Sequence, residues 1–481
     1  MRRIAGIDVG GTFTDLVMQE ADGSIRIAKV PTTAANQAEG VLAAIAAAGT
    51  TPAALDLIVH GTTATTNAVL ERKLAKVGLI TTAGFRDVLE LGRRTRPRAY
   101  GMTGSFEPLV PRELRREVPE RMDARGAVVT PLDEDAVGRE VRALLAEGCE
   151  AMVIHFLHAY ANPAHERRAG EIARALWPNG YVTEGHALLS EFREYERGTT
   201  ASVNAAVQPV LDRYIRALQD RLAEAGHARD LLVMNGNGGT VPARAVAAEA
   251  AKTVMSGPAS GVMAAAATLA QSGVRNAITC DMGGTSTDVA LIAGGVPEVS
   301  AELSIAYGLP IHLPMVDVRT VGAGGGSIAW IDRGGMLRVG PESAGSAPGP
   351  ICYGRGGTRP TVTDANLLLG RLDPDALLGT GRRVGVEEVR AAFDALGAPI
   401  GMTAEAAAAA VIRLANVLMA GAIRMVSLSR GHDPRDFRLF AFGGAGPLHA
   451  VALAREIGIP GVLIPFRPGL TNALGCLVAD L

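Results

Sequence analysis

The phrase DVGGTFTD at residues 8–15 returns, with two letters changed, as DMGGTSTD at residues 281–288. Asp8, Gly10, Gly11, Thr12, Thr14 and Asp15 recur as Asp281, Gly283, Gly284, Thr285, Thr287 and Asp288. In each copy an apolar stub (IAGI, AITC) leads into the aspartate, and a second one (LVM, VAL) follows the final aspartate. The pattern predicts a β-hairpin with a Gly-rich turn. A lone hairpin is not stable in water, so each copy needs further strands or a helix against it. Each copy opens a separate half of the chain.

Glycine lets a ligand approach the backbone closely, and adjacent N–H groups in a turn form an anion nest. Gly10, Gly11, Thr12 and Thr14 in the first copy are thus candidates to cradle phosphate oxygens. Gly283, Gly284, Thr285 and Ser286 are their counterparts in the second. Asp8 and Asp281 would hold Mg²⁺ or its water shell, because a carboxylate suits the cation and not the phosphate. The alternative is a plain tight turn with Thr and Asp as local caps. The matching context of the two copies favours phosphate.

A third segment, RLFAFGGAGPLHAVALAREIG at residues 438–458, reads as strand, turn and helix. Pro447 suits the first turn of that helix. Gly443, Gly444 and Gly446 would let a ligand pack at its positive end. A dinucleotide fingerprint is not indicated, since the first strand turns into another strand and no acidic residue follows at the required distance. The run Gly322–Gly326 (VGAGGG) is a further candidate lining of the cleft through Gly322, Gly324 and Gly325. His60, in HGTTATTN, could contact substrate or the transferring phosphoryl group, with burial beside a capped helix as the alternative.

Short β-type runs alternate with Ala-rich helical stretches, which predicts an α/β chain. Its 481 residues, 48% hydrophobic and 20% charged, call for more than one core. A net charge of −2 gives no reason to propose nucleic acid or an anionic membrane as partner. No uninterrupted apolar run approaches the ~18 residues of a membrane span. Four separate cysteines and the lack of a signal-like start point to a cytoplasmic protein. His155, His158, His165 and Glu166 lack metal-site spacing and read as structural or partner-facing. Arg93, Arg94, Arg96 and Arg98 read as a solvated basic loop that could attract an anion. The segment from Glu194 to Ala225 reads as one or two long helices around Pro209.

Two phosphate hairpins followed by a Gly-rich turn resemble the nucleotide cleft of the actin, sugar-kinase and heat-shock-chaperone ATPase superfamily. That resemblance implies two ribonuclease-H-like lobes closing on ATP. Longer stretches narrow it. HGTTATTNAVLERK (60–73), MSGPASGV (255–262), VDVRTVGAGGGSIAWID (316–332), CYGRGGTRPTVTDANLLLG (352–370) and FGGAGPLHA (442–450) look like the hydantoinase A/oxoprolinase family, in order along the chain. The resemblance implies an N-terminal lobe over residues 1–190 and a hydantoinase A lobe over 191–481. It also implies a Mg²⁺- and ATP-dependent enzyme that phosphorylates the carbonyl oxygen of a hydantoin, 5-oxoproline or related lactam to drive ring opening. A hydantoinase B-type large subunit and homo-oligomerisation are the implied assembly. The alternatives are the ATP-using subunit of an acetone/acetophenone-type ketone carboxylase and, in another class, a non-catalytic nucleotide switch. Members of the family usually continue past the equivalent of GLTNALGCLVADL, at which this sequence stops.

Overall fold

The computed structural model describes residues 2–33, 37–95, 100, 101, 104, 106–377 and 381–479. They form two compact units that do not follow chain order. The first takes in residues 1–61, 257–298 and 316–480, and the second residues 62–256 and 299–315. Both copies of the repeated phrase lie in the first unit.

Each copy is the expected hairpin, and each sits in its own sheet. Ile4–Val9 pairs antiparallel with Phe13–Gln19, which pairs in turn with Ile25–Pro31. Leu57–Thr62 lies on the other side of Ile4–Val9. In the second sheet Ala277–Met282 pairs antiparallel with Thr287–Ala293, and Val318–Val321 adds to the latter. Arg438–Phe442 runs parallel on the other side of Ala277–Met282. Hairpin, outer antiparallel strand and flanking strand thus recur in the same arrangement. The apolar stubs make this possible, since Ala5, Ile7, Val9, Leu16 and Met18 are fully buried, as are Ile278, Cys280, Met282, Val289 and Ile292.

The core beneath the second sheet is mostly aliphatic, with Phe393 and Phe437 as its buried aromatic residues. It is built on the helix Ala404–Ser427, whose Thr403 side chain caps the N–H of Ala406. Extended by the turn to Arg430, this helix is long and apolar enough to cross a membrane by length and composition. Ala407, Val411, Ala415, Met419 and Ile423 of this helix are fully buried in the core.

The second unit holds a four-stranded parallel sheet in the order Val182–Glu184, Ala151–His155, Val77–Thr82, Arg115–Val118. Helices Glu134–Ala146 and Ala164–Leu176 make the crossovers that parallel strands need. The helix Glu194–Glu224 runs unbroken through Pro209 and lies wholly in this unit. Glu166 is fully buried and accepts hydrogen bonds from the Phe156 and His186 N–H groups, a structural role. Arg93 is held by ion pairs to Glu196 and Glu302; Arg96 and Arg98 lie outside the described residues.

Candidate nucleotide-phosphate site

The strand register sets the electrostatics of the site. Asp8 stands directly opposite Asp15, and Asp281 directly opposite Asp288, so the first and last letters of each phrase face one another across the hairpin. Like charges opposed in this way repel. Burial, and then Asp15, push Asp8 up to about 7, against the opposing pull of Lys29 and Asn472. Burial, and then Asp288, push Asp281 up to about 7, with Asp8 and Asp15 adding to the shift. Burial raises Asp288 to about 6. Asp15 keeps a close cation, with Lys29 Nζ 2.7 Å away.

Each metal-candidate aspartate leans on a glycine of the flanking strand or its end. A Cβ at Gly61 would lie 2.7 Å from Asp8 Oδ1, and one at Gly443 would lie 2.3 Å from Asp281 Oδ1. A third contact joins the two halves. Asn472 Nδ2 donates to Asp281 Oδ2 at 3.3 Å, and the same side chain favours the ionised form of Asp8. Asp8 Oδ1 is buried with no hydrogen-bond partner.

The turns themselves are built alike. Gly10 N–H bonds Phe13 O at 3.1 Å and Gly283 N–H bonds Ser286 O at 3.0 Å, so these two amides close the turns. Gly11, Gly284 and Thr285 are exposed at the tips. Thr12 is half-buried and its carbonyl accepts from Thr32 N–H. Thr14 and Thr287 are fully buried and secure the hairpins from behind, Thr14 on the Thr32 hydroxyl and Thr287 on the Ala323 carbonyl. Thr14 is therefore an anchor of the turn, where a phosphate contact was expected. Gly443, Gly444 and Gly446 follow the strand beside Asp281; Gly444 is exposed, and Ala445 N–H bonds Met282 O.

Two expectations change. Within the run Gly322–Gly326, the glycines from Gly324 onward pack against the backbone of the second turn. Gly325 and Gly326 N–H groups bond the Gly283 and Gly284 carbonyls at 3.0 and 2.6 Å, and a Cβ on Gly324 would lie 2.5 Å from Thr285 C. Behind that run, Thr363 Oγ1 donates to Gly325 O, and Thr361 and Asp364 form a capping box that starts the next helix. The TVTDAN motif thus supports the glycine run, which supports the second turn. His60 is fully buried, hydrogen-bonded to the Ile7 backbone and pushed by burial down to about 4, so it is neutral. Adjacent strand residues face opposite sides of a sheet, and it is Gly61 that faces Asp8. His60 is a core residue.

Asp15, Asp288, Gly61 and Asn472 are the site residues that the motif reading passed over. The first two were legible, since the repeat includes them. Gly61 stood beside the histidine that attracted attention, and Asn472 carries no periodic or repeated signal.

Among the described residues no three His, Cys, Asp or Glu side chains converge as a metal site. Mg²⁺ at phosphates ordinarily takes one or two carboxylates and completes its shell with phosphate oxygens and water. The orphaned Asp8 oxygen and the two elevated carboxylates suit that pattern, so the residues fit a Mg²⁺–phosphate group.

The fold is of the mixed α/β class, built around a duplicated acidic hairpin with exposed glycine tips. The chain belongs to the hydantoinase/oxoprolinase family: the family's N-terminal region matches residues 4–177, and its Hydantoinase/oxoprolinase region matches 197–481. It is 40% identical to caprolactamase subunit alpha of Pseudomonas jessenii, over 99% of this chain and 70% of that one. It is 36% identical to the acetophenone carboxylase gamma subunit of Aromatoleum aromaticum, over 99% of this chain and 68% of that one. The crystal structure of the ATP-dependent caprolactamase of P. jessenii superposes with a TM-score of 0.87 at 39% identity, covering 99% of this chain and 71% of that one. Nucleotide-free acetone carboxylase gives 0.86 at 32% identity, covering 100% and 71%.

Proposed function

We propose that this chain is the ATP-using subunit of a cyclic amide hydrolase, transferring a phosphoryl group to the carbonyl oxygen of a small lactam such as a hydantoin or 5-oxoproline so that water can open the ring. The observation that carries the reading is the pair of elevated aspartates, buried Asp8 and half-buried Asp281, drawn from two copies of one hairpin, with Asn472 donating to Asp281. An unstrained amide resists hydrolysis, and the bound Mg²⁺-nucleotide would supply both the phosphoryl group and the charge neutralisation for its transfer.

In this reading Asp8 and Asp281 hold the cation, and Asp15 and Asp288 set their charge. The exposed tips at Gly10–Thr12 and Gly283–Ser286 orient the phosphates. Gly443, Gly444 and Gly446 lie where the rest of the nucleotide would pack, next to Asp281. The work of the site is positioning and charge placement, so displacement of either aspartate by a fraction of an ångström is costly. The recurrence of hairpin, outer strand and flanking strand supports the finer reading of two ribonuclease-H-like halves, one from each part of the chain. A hydantoinase B-type large subunit is the proposed partner, in keeping with the subunit names of the relatives.

The similarity to acetone and acetophenone carboxylase subunits favours one rival, in which the phosphorylated oxygen belongs to a ketone on its way to carboxylation. The test is ADP release by the chain, purified with its large subunit, over hydantoin, 5-oxoproline, caprolactam, acetone and acetophenone, with and without bicarbonate. Stimulation by a lactam without bicarbonate is expected. Stimulation by ketones only, in the presence of bicarbonate, would establish the rival, and ATP hydrolysis indifferent to every compound would sink both.

A further inference from the structure

The helix Thr471–Val478 is seated so closely that little but backbone separates it from its neighbours. A Cβ at Gly6, in the first hairpin, would lie 2.3 Å from Ala473 O. A Cβ at Gly261, in the helix Ser256–Ser272, would lie 2.3 Å from Asn472 Oδ1 and 2.8 Å from the Phe442 ring. This seating fixes one side chain in place. Asn472 has its oxygen buried against Gly261, without a hydrogen-bond partner; its amide nitrogen donates to Asp281 Oδ2 at 3.3 Å, and its presence favours the charged form of Asp8.

We propose that Asn472 is the positioning residue of the divalent cation site, an uncharged clamp that sets the separation of Asp8 and Asp281 and so makes one site of two hairpins. The proposal rests on the reading of those aspartates as the cation holders. A neutral amide suits the task. A lysine there would occupy the cation's place with its own charge, and a leucine would leave Asp281 without its donor. The small residues of MSGPASGV also gain a purpose: Gly261 leaves room for the amide, so that motif serves the cation site from behind.

The test is Mn²⁺ binding followed by electron paramagnetic resonance, on the full chain with ADP, beside calorimetric ADP binding in the absence of metal. Asn472→Ala is expected to weaken Mn²⁺ about tenfold or more, as loss of an outer-shell partner does, and to leave metal-free ADP binding unchanged. Asn472→Asp is expected to retain Mn²⁺ binding and to shift the manganese spectrum, because a carboxylate replaces the amide beside the ion. Should Asn472→Ala fold poorly, Asn472→Ser carries the same prediction of weakened Mn²⁺. Wild-type Mn²⁺ affinity in both Asn472→Ala and Asn472→Ser, with affinity lost in Asp281→Ala, would overturn the role of Asn472 alone. Wild-type affinity in Asp8→Ala and Asp281→Ala would overturn the underlying reading of the site.

Discussion

Gly443 lies against the carboxylate of Asp281 so closely that a methyl group there would come within 2.3 Å of Oδ1. Gly61 stands in the same relation to Asp8 in the other sheet, at 2.7 Å. The duplication therefore extends beyond the repeated phrase to the neighbouring strand, where no sequence match announces it.

Gly443→Ala and Gly61→Ala are expected to act on the same step. Each added methyl group pushes a carboxylate out of line, and Mg²⁺-dependent ATP turnover should fall by about a hundredfold, the scale of a misplaced reacting group. Gly443 also has φ of +80°, so alanine there should cost about 1–3 kcal/mol of stability, whereas Gly61→Ala carries no such backbone strain. Urea unfolding beside turnover separates the two effects.

The aspartates predict a pH dependence of known sign. A carboxyl raised from 3.8 to about 7 binds more protons in the folded chain than in the unfolded one across that interval. Its contribution to stability therefore declines as pH rises from about 4 to 7, and is lowest above 7. Asp281→Asn should raise metal-free stability at pH 8 by about 2 kcal/mol relative to wild type. The same variant should lose the stabilisation that Mg²⁺ with ADP gives the wild type. Thermal unfolding at pH 5 and pH 8, with and without Mg²⁺-ADP, checks both.

The buried histidines predict the opposite slope. His60 and His449 are pushed by burial down to about 4; His449 joins Asn416 through Nδ1 and Asn366 through Nε2. The unfolded chain takes up these protons first, so their contribution is full above about 6.5 and is lost as pH falls towards 4. Each is worth up to about 3 kcal/mol over that window. Replacing His60 by asparagine should flatten the acid limb of an unfolding-versus-pH curve and leave the substrate dependence of ATP turnover unchanged. Altered substrate dependence would return His60 to the reacting groups.

The hairpins were legible because they are local: apolar stubs, a glycine turn and a short register fix the structure over about ten residues. Their registration also placed Asp15 and Asp288 opposite Asp8 and Asp281, a consequence of antiparallel pairing that the phrase already contained. The glycine run at 322–326 shows where such reading stops. Composition says that something approaches the backbone, but a phosphate and the turn at Gly283–Ser286 demand the same absence of side chain. His60 misled for a related reason. A polar residue in an apolar strand draws attention, yet only tertiary packing decides which of two adjacent residues faces the site. Asn472 was illegible because its role arises wholly from where a distant helix docks.

That docking has a consequence for how the molecule is made. Cys476 Sγ lies 3.8 Å from Ile7 O, across 469 positions of chain. At ribosomal rates of ~5–20 residues per second, the first strand emerges roughly half a minute to a minute and a half before the helix that covers it. During that interval the face of the strand at Gly6 has no native lid, and Asp281 lacks its Asn472 donor. The first copy of the repeated phrase therefore reaches its final packing only after a helix 469 positions further along has been made.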